Sequence, residues 1–349
     1  VHWIEPSLTL AVPVGSATAM ATASDAGETV TETGSLGLSA VWACVNLLAG
    51  TIASLPLMVY RVTGETRQVE RSHPLYRLLH DSPNYDQTAS DFWEFVAASL
   101  ELWGNAYARV LREGTRIVGL VPVRPDWVQV RRLANGSLEY AWAEDGRAFR
   151  LSDTEMLHIR GFGGSPLGGM STLSFGRHAF GLARAVDRAA GATFRNGLRP
   201  SGALVFKDFL SEQNRQIAEK HLVDRHQSAV NAGRPMILEG GTTWQPFTIN
   251  PEDAQMLESR RFSIEEVCRF FGVPPHMVGH TEKATSWGTG LEQQTLGFQK
   301  FTLRRRLKRI EQALMKQLLT PAEIARGIVI EFNLEGLLRG DSAARASFY

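Results

Sequence analysis

The chain has 349 residues, 44% of them hydrophobic, with 37 Lys+Arg against 36 Asp+Glu and a formal net charge of +1. That length exceeds what one compact core usually organises, so two or more lobes are expected. The even charge balance argues against a protein that grips nucleic acid tightly, because each neutralised phosphate needs its own cation. Only Lys207, Lys220, Lys283, Lys300, Lys308 and Lys316 are lysines; the other cations are arginines, suited to bidentate ion pairs. Cys44 and Cys268, the only cysteines, sit at apolar positions of helical patterns. They read as buried, inert thiols in a protein assembled in a reducing cytoplasm.

Residues 1–35 are rich in Ala, Thr, Ser and Gly and too poor in large apolar groups to fold alone, which predicts a flexible or extended arm. The first basic residue is Arg61, so no secretion signal is expected. The uncharged stretch from Thr33 to Tyr60 has the length of a membrane span, but Asn46, Gly50, Ser54 and Pro56 interrupt it. Val41, Val45, Leu48 and Ile52 instead mark a helix over about 39–53, followed by the strand-like LMVYRV. Ser72 is a candidate cap of a short helix. Thr88 with Asp91 caps a longer one that carries Phe92, Phe95, Val96, Leu100 and Trp103 up to Gly104. From Asn105 to Gly161 the pattern turns to short alternating strands, with Asn135-Gly136 and Asp145-Gly146 as hairpin turns.

A second long helix is predicted over 171–196, about 35–40 Å long if continuous at 1.5 Å per residue. It is small-sided, and Gly176, Gly181 and Gly191 inside it suggest that something packs very close, since each costs about 1 kcal/mol against alanine. An insertion over 197–250 reads as strand (Ala203 to Phe206), helix after Ser211, strand (Met236 to Leu238) and strand (Thr243 to Phe247). Asn250-Pro251 opens a further helix, which Gly272 closes and which Pro274 and Pro275 cannot continue. His276 to Gly290 is a projecting polar loop with hinges at Gly279, Gly288 and Gly290. Thr289 and Glu292 form a capping box for a long amphipathic helix bearing Leu296, Leu303, Leu307, Ile310, Leu314 and Leu318 on one face. Thr320 and Glu323 repeat the box, and Ile328 to Phe332 reads as a strand.

The run FGVPPHMVGHTEKATSWGTGLEQQTLGFQKFTLRRRLKRIEQAL closely resembles the phage portal protein family, the siphophage type of head-to-tail connector. So do SAVWACVNLLAGTIASLPLMVY, HPLYRLLHDSPN, WGNAYARVLR, LHIRGF with GGSPLGG, FRNGLRPSGALV and ILEGGTTWQP, in one chain order spanning about residues 36–320. The resemblance implies an α+β portal fold: an arm (1–35), a wing (36–170), a first stem helix (171–196), a small αβ clip (197–250) and a second stem helix (251–272). A tunnel loop (273–289), a long wing helix (290–319) and the start of an α-helical crown (320–349) would follow. Lys283, Thr285, Ser286 and Trp287 would face DNA, and Gly176, Gly181 and Gly191 would pack the stem against a neighbouring subunit. Gly272, Pro274, Pro275, Gly288 and Gly290 would set the helix break and the hinges. The implied assembly is a homo-oligomeric ring, a dodecamer by analogy, at one capsid vertex of a tailed phage or a phage-derived gene transfer agent. Its implied partners are double-stranded DNA, the major capsid protein, the large terminase and a head-to-tail adaptor. Many relatives carry a proline where this chain has Arg305, so the resemblance does not carry over the helix kink drawn there.

No enzyme signature is present: no G-x-x-x-x-G-K-[ST], H-E-x-x-H, C-x-x-C or complete G-x-S-x-G. No cofactor or metal is expected. GGSPLGG lacks the lysine of a phosphate loop. His276 and His280 have no third ligand in sequence, and His221 and His226 read as surface residues. Asn135-Gly136-Ser137 matches a glycosylation sequon but reads as a turn. Six basic residues from Lys300 to Arg309 lie off the apolar stripe, for ion pairs with Glu residues or for nucleic-acid or inter-subunit contact. The alternative of another class is a serine hydrolase using Ser165 or Ser171 with a distant histidine, supported by residue type alone.

Overall fold

A computed structural model describes residues 24–195, 202–205, 211–213, 216, 243–246, 252–280 and 294–334. A short helix α1 (Glu32–Leu36) precedes α2 (Ser39–Ser54), whose Val41, Cys44, Val45, Leu48 and Ile52 are buried along one stripe. Strands β1 (Leu57–Thr63) and β2 (Thr66–Val69) form a hairpin. Helix α3 (Pro74–His80) is capped not by Ser72 but by His73, whose Nδ1 accepts from Leu75 N; the Ser72 hydroxyl donates to Glu70 instead. Helix α4 (Ala89–Trp103) has the expected Thr88–Asp91 capping box, and Gly104 closes it at φ +73°.

Strands β3 (Asn105–Glu113), β4 (Arg116–Val123), β5 (Gln129–Arg132), β6 (Leu138–Glu144), β7 (Arg147–Ser152) and β8 (Met156–Arg160) follow. They build two antiparallel sheets, ordered β4-β3-β8 and β5-β6-β7. Asp145 and Gly146 both take positive φ, +48° and +74°, as a two-residue hairpin turn needs. The second long helix is divided: Ser171 caps α5 (Thr172–Phe175), and α6 (Arg177–Arg195) starts after Gly176. Of the inserted unit, β9 (Gly202–Val205) and β10 (Thr243–Pro246) are described and pair antiparallel; the strand expected over 236–238 and nearly all of the helix expected after Ser211 lie outside the described residues. Helix α7 (Glu252–Phe271) returns along α6. A π-helical turn (Phe298–Leu303) leads into α8 (Arg304–Leu318), and α9 (Pro321–Ala325) and β11 (Ile328–Phe332) complete the described chain.

Two apolar clusters place these elements. One joins the C-terminal half of α2, β1, α3, α4, the β4-β3-β8 sheet, α8 and β11, with Phe92, Leu79, Ile310 and Leu314 fully buried. The other joins the N-terminal half of α2 to α6, α7 and Phe298, around Phe180 and Phe271. Each such side chain contributes about 1.5–3 kcal/mol by leaving water. Tyr107, Tyr140, Trp142 and Met156 form a third cluster under the β5-β6-β7 sheet.

Two expected segments differ. Part of the arm is folded: Val30 is buried, Arg188 Nη1 lies 2.8 Å from Glu28 Oε1, Arg184 Nη1 donates to the Thr29 carbonyl at 3.0 Å, and His178 sits 3.1 Å from Asp25. Residues 24–35 thus gain from α6 the partners they lack alone. Of the segment expected to begin a crown, Ile328–Phe332 belongs to the wing core, because β11 pairs with β1 (Val59 opposite Ile330) and buries Ile328, Ile330 and Phe332 in the first cluster; residues 335–349 lie outside the described residues.

Candidate functional site

The described molecule holds its polar loop from a braced base. Gly272, at φ +67°, ends α7, and a 3-10 turn (Pro275–Val278) after Pro274 is closed by Gly279 at φ +83°. Met277 and Val278 pack on the second cluster, and His280 Nε2 lies 3.6 Å from Glu265. Lys283, Thr285, Ser286, Trp287, Gly288 and Gly290, with the Thr289–Glu292 capping box, lie outside the described residues. On the far side, helix resumes at residue 294. The π turn that follows widens the helix, so the leucine stripe slips: Leu296 is 54% exposed, while Phe298 and Leu303 are buried. The phase change comes without a proline.

Arg306 ties this base to the wing. Its Nε donates to Glu101 Oε1 at 2.6 Å, and its Nη2 donates to Glu101 Oε2 at 3.2 Å and to the Phe271 carbonyl at 3.0 Å. Thr172 Oγ1 donates to Glu101 Oε2 at 2.9 Å, and Thr302 Oγ1 to the Gly272 carbonyl at 2.7 Å. One buried carboxylate therefore joins α4, the start of α5 and α8, and the same guanidinium covers the carbonyl end of α7. Sequence patterning missed this junction. Its one signal was Glu101, a carboxylate between the apolar Leu100 and Leu102 on the inward half of α4.

The stem glycines have separate surroundings. A Cβ on Gly176 would strike the rings of Phe180 and Phe270, and one on Gly181 would strike Ser24, so both close approaches lie within one subunit. Gly191 has open space around it. Phe180, near the start of α6, packs on Phe270 and Phe271 at the end of α7, with centroids 5.6 and 6.0 Å apart, which sets the two helices antiparallel. Cys44 and Cys268 face each other across α2 and α7 as free, buried thiols, Sγ to Sγ 3.9 Å. The shared contact and burial push the Cys44 thiol well above its ordinary value.

Beside the junction lies a groove of about 350 Å³ between α4, α5, the end of α7 and α8. Phe162 and Phe301 on its rim are 61% and 66% exposed, and Phe162 leans on Phe175 at 5.7 Å. Of the six expected cations, Arg306 is spent on Glu101, and Lys308 lies 3.3 Å from Glu311 and 3.6 Å from Glu331.

Neither serine of the hydrolase alternative meets a histidine among the described residues. Ser165 Oγ accepts from Leu167 N, and Ser171 Oγ caps α5 by accepting from Ser174 N at 3.0 Å. His158 is buried against Tyr140 and Asn105, and burial, with Arg160 nearby, pushes it down to about 3. Among the described residues no group of His, Cys, Asp and Glu could hold a metal ion, and no helix is long and apolar enough to cross a membrane.

Comparison with known proteins agrees with this architecture. The model of the phage portal protein family matches residues 39–349. The chain is 38% identical to the portal protein of Enterobacteria phage HK97 over 317 residues, 90% of this chain and 74% of that one. It is 32% identical to a probable portal protein of Streptomyces phage phiC31, over 93% of this chain and 72% of that one. Among solved structures, a chain of the virion of a native gene transfer agent (GTA) particle superposes with a TM-score of 0.67 at 26% identity, covering 90% of this chain and 87% of that one. A chain in the neck of a native GTA particle computed with C12 symmetry gives a TM-score of 0.64 at 24% identity, covering 96% and 91%. A portal fold, a braced loop base and serines committed to turns and caps converge on one identity: the chain belongs to the phage portal protein family, and its role is structural rather than catalytic.

Proposed function

We infer that the chain forms a closed homo-oligomeric ring, a dodecamer, at one capsid vertex of a phage or phage-like particle, assembled in the host cytoplasm. The ring is the conduit through which a separate motor, the large terminase, drives double-stranded DNA during packaging and through which DNA leaves on ejection. The clip over 197–250 meets terminase and later a head-to-tail adaptor, and the wing meets the major capsid protein. The C12 symmetry of the GTA neck that holds a similar chain supports the copy number. Closure of identical copies requires a head-to-tail interface, in which different patches of the subunit meet.

The observation that carries this reading is the braced base. Glu101, Arg306, Thr302 and Gly272 fix both ends of the polar segment to the wing. On this reading the loop, with Lys283, Thr285, Ser286 and Trp287, faces the channel and touches passing DNA without gripping it. A net charge of +1 suits a channel in which DNA must slide. Native mass measurement tests the assembly: a closed ring near twelve times the 38.5 kDa of the chain is expected, and a stable monomer or dimer at micromolar concentration would overturn it.

A further inference from the structure

The groove beside the Glu101–Arg306 junction carries a charge imbalance that the subunit does not resolve. Arg269, Arg305 and Arg309 line it, and among the described residues no hydrogen bond or ion pair engages their guanidinium groups. Burial, and then the positive charges of Arg306 and Arg305, hold Arg309 below its ordinary value. Arg309 is half-buried and has only Glu101 near it, a carboxylate that Arg306 already engages, while Arg269 and Arg305 stand exposed beside it, so an arriving anion would meet three cations beyond the Glu101–Arg306 pair. Around them Phe162, Phe270 and Phe301 are 61%, 39% and 66% exposed, an apolar rim that a soluble surface seldom leaves open.

We propose that a second copy of this chain fills the groove, bringing carboxylate side chains onto Arg269, Arg305 and Arg309 and apolar surface onto the phenylalanine rim. The proposal rests on the ring reading above and adds where neighbouring copies lock together. Charge complementarity selects the occupant. With a net charge of only +1, the chain outside this trio of arginines is net negative, so an identical copy offers the matching acids. Duplex DNA would satisfy the arginines but leave the rings against a phosphate surface, because stacked bases present no free faces to them. An arginine and aromatic cluster that a partner desolvates is the composition of an interface centre. The groove abuts Arg306 and Gly272, so the contact would also stiffen the loop base from outside.

The test places the photo-crosslinker p-benzoylphenylalanine at position 301 in the assembled ring, with and without packaged DNA, and reads the products by denaturing gel and peptide mass. Covalent dimers and higher ladders, mapping to an Asp- or Glu-bearing segment of another copy, are expected in both samples. Adducts to DNA alone, adducts within one chain, or no adduct from intact rings would each overturn the proposal while leaving the ring itself in place. In parallel, Arg305→Gln/Arg309→Gln should weaken ring association at least tenfold while the subunit's circular dichroism and melting are unchanged. Unchanged association would contradict it. Failure of the unmodified chain to form rings would instead remove the functional reading beneath it.

Discussion

Arg306 and Glu101, 205 residues apart in the chain, meet in a two-pronged ion pair at 2.6 and 3.2 Å, with the carboxylate nearly buried. Removing one partner leaves the other charge without compensation. Arg306→Met is expected to cost about 3 kcal/mol. Glu101→Leu/Arg306→Met should recover much of that loss, because an apolar pair of similar volume carries no desolvation penalty. Denaturant unfolding of the two variants checks this; an equal loss in both would show that the Glu101 carboxylate left unpaired carries no burial penalty.

His158 predicts a pH dependence. Its imidazole is buried between Tyr140 and Asn105, and burial, then the charge of Arg160, pushes it down to about 3. The unfolded chain accepts a proton near pH 6.5, whereas the folded chain refuses it until about pH 3. Stability should therefore be fully present above pH 6.5 and fall as pH drops through that window, by up to about 1.4 kcal/mol per pH unit. Unfolding of wild type and His158→Gln at pH 7 and pH 5 should show the slope flattened in the variant.

The glycines of α6 separate two kinds of close packing. Gly181→Ala should displace residues 24–30 from α6, since its Cβ meets Ser24, and so expose that segment to protease. A Cβ at Gly191 meets nothing within 4 Å, so with Gly191→Leu subunit stability should hold or rise by up to about 1 kcal/mol. If a neighbouring stem packs there, the same change lowers ring formation. Melting and light scattering of Gly191→Leu decide this, and intact rings would remove Gly191 from the interface.

Gly272 supports the helix break. At φ +67°, with Thr302 beside it, any side chain is strained, and Gly272→Ala should cost about 1–2 kcal/mol. A melting temperature equal to wild type would show that the break is held by the prolines alone.

Local signals were the legible part of the fold. The Thr88–Asp91 and Thr320–Glu323 boxes, the Asp145-Gly146 turn, the stop at Gly272 and the strand Ile328–Phe332 stand where their chemistry puts them. Non-local facts were not legible. That β11 joins β1 depends on pairing across more than 260 residues, and that Val30 is buried depends on α6 offering a surface. The π turn escaped because Leu296 keeps perfect α-helical spacing to Leu303, yet the widened turn carries Leu296 to solvent. At the site, the helix break at Gly272 and Pro274–Pro275 and the turn at Gly279 could be read from Gly and Pro. Its brace could not, since nothing local announces that Glu101 will find Arg306.

The claim that a loop held on a braced base serves DNA passage is tested most directly by DNA content per particle. Particles built with a chain lacking residues 281–287, which leaves Gly272, Thr302 and the Glu101–Arg306 pair untouched, would be counted and their DNA quantified beside wild type. The expected result is normal particle number with strongly reduced DNA per particle. Wild-type DNA content in those particles would contradict the mechanism.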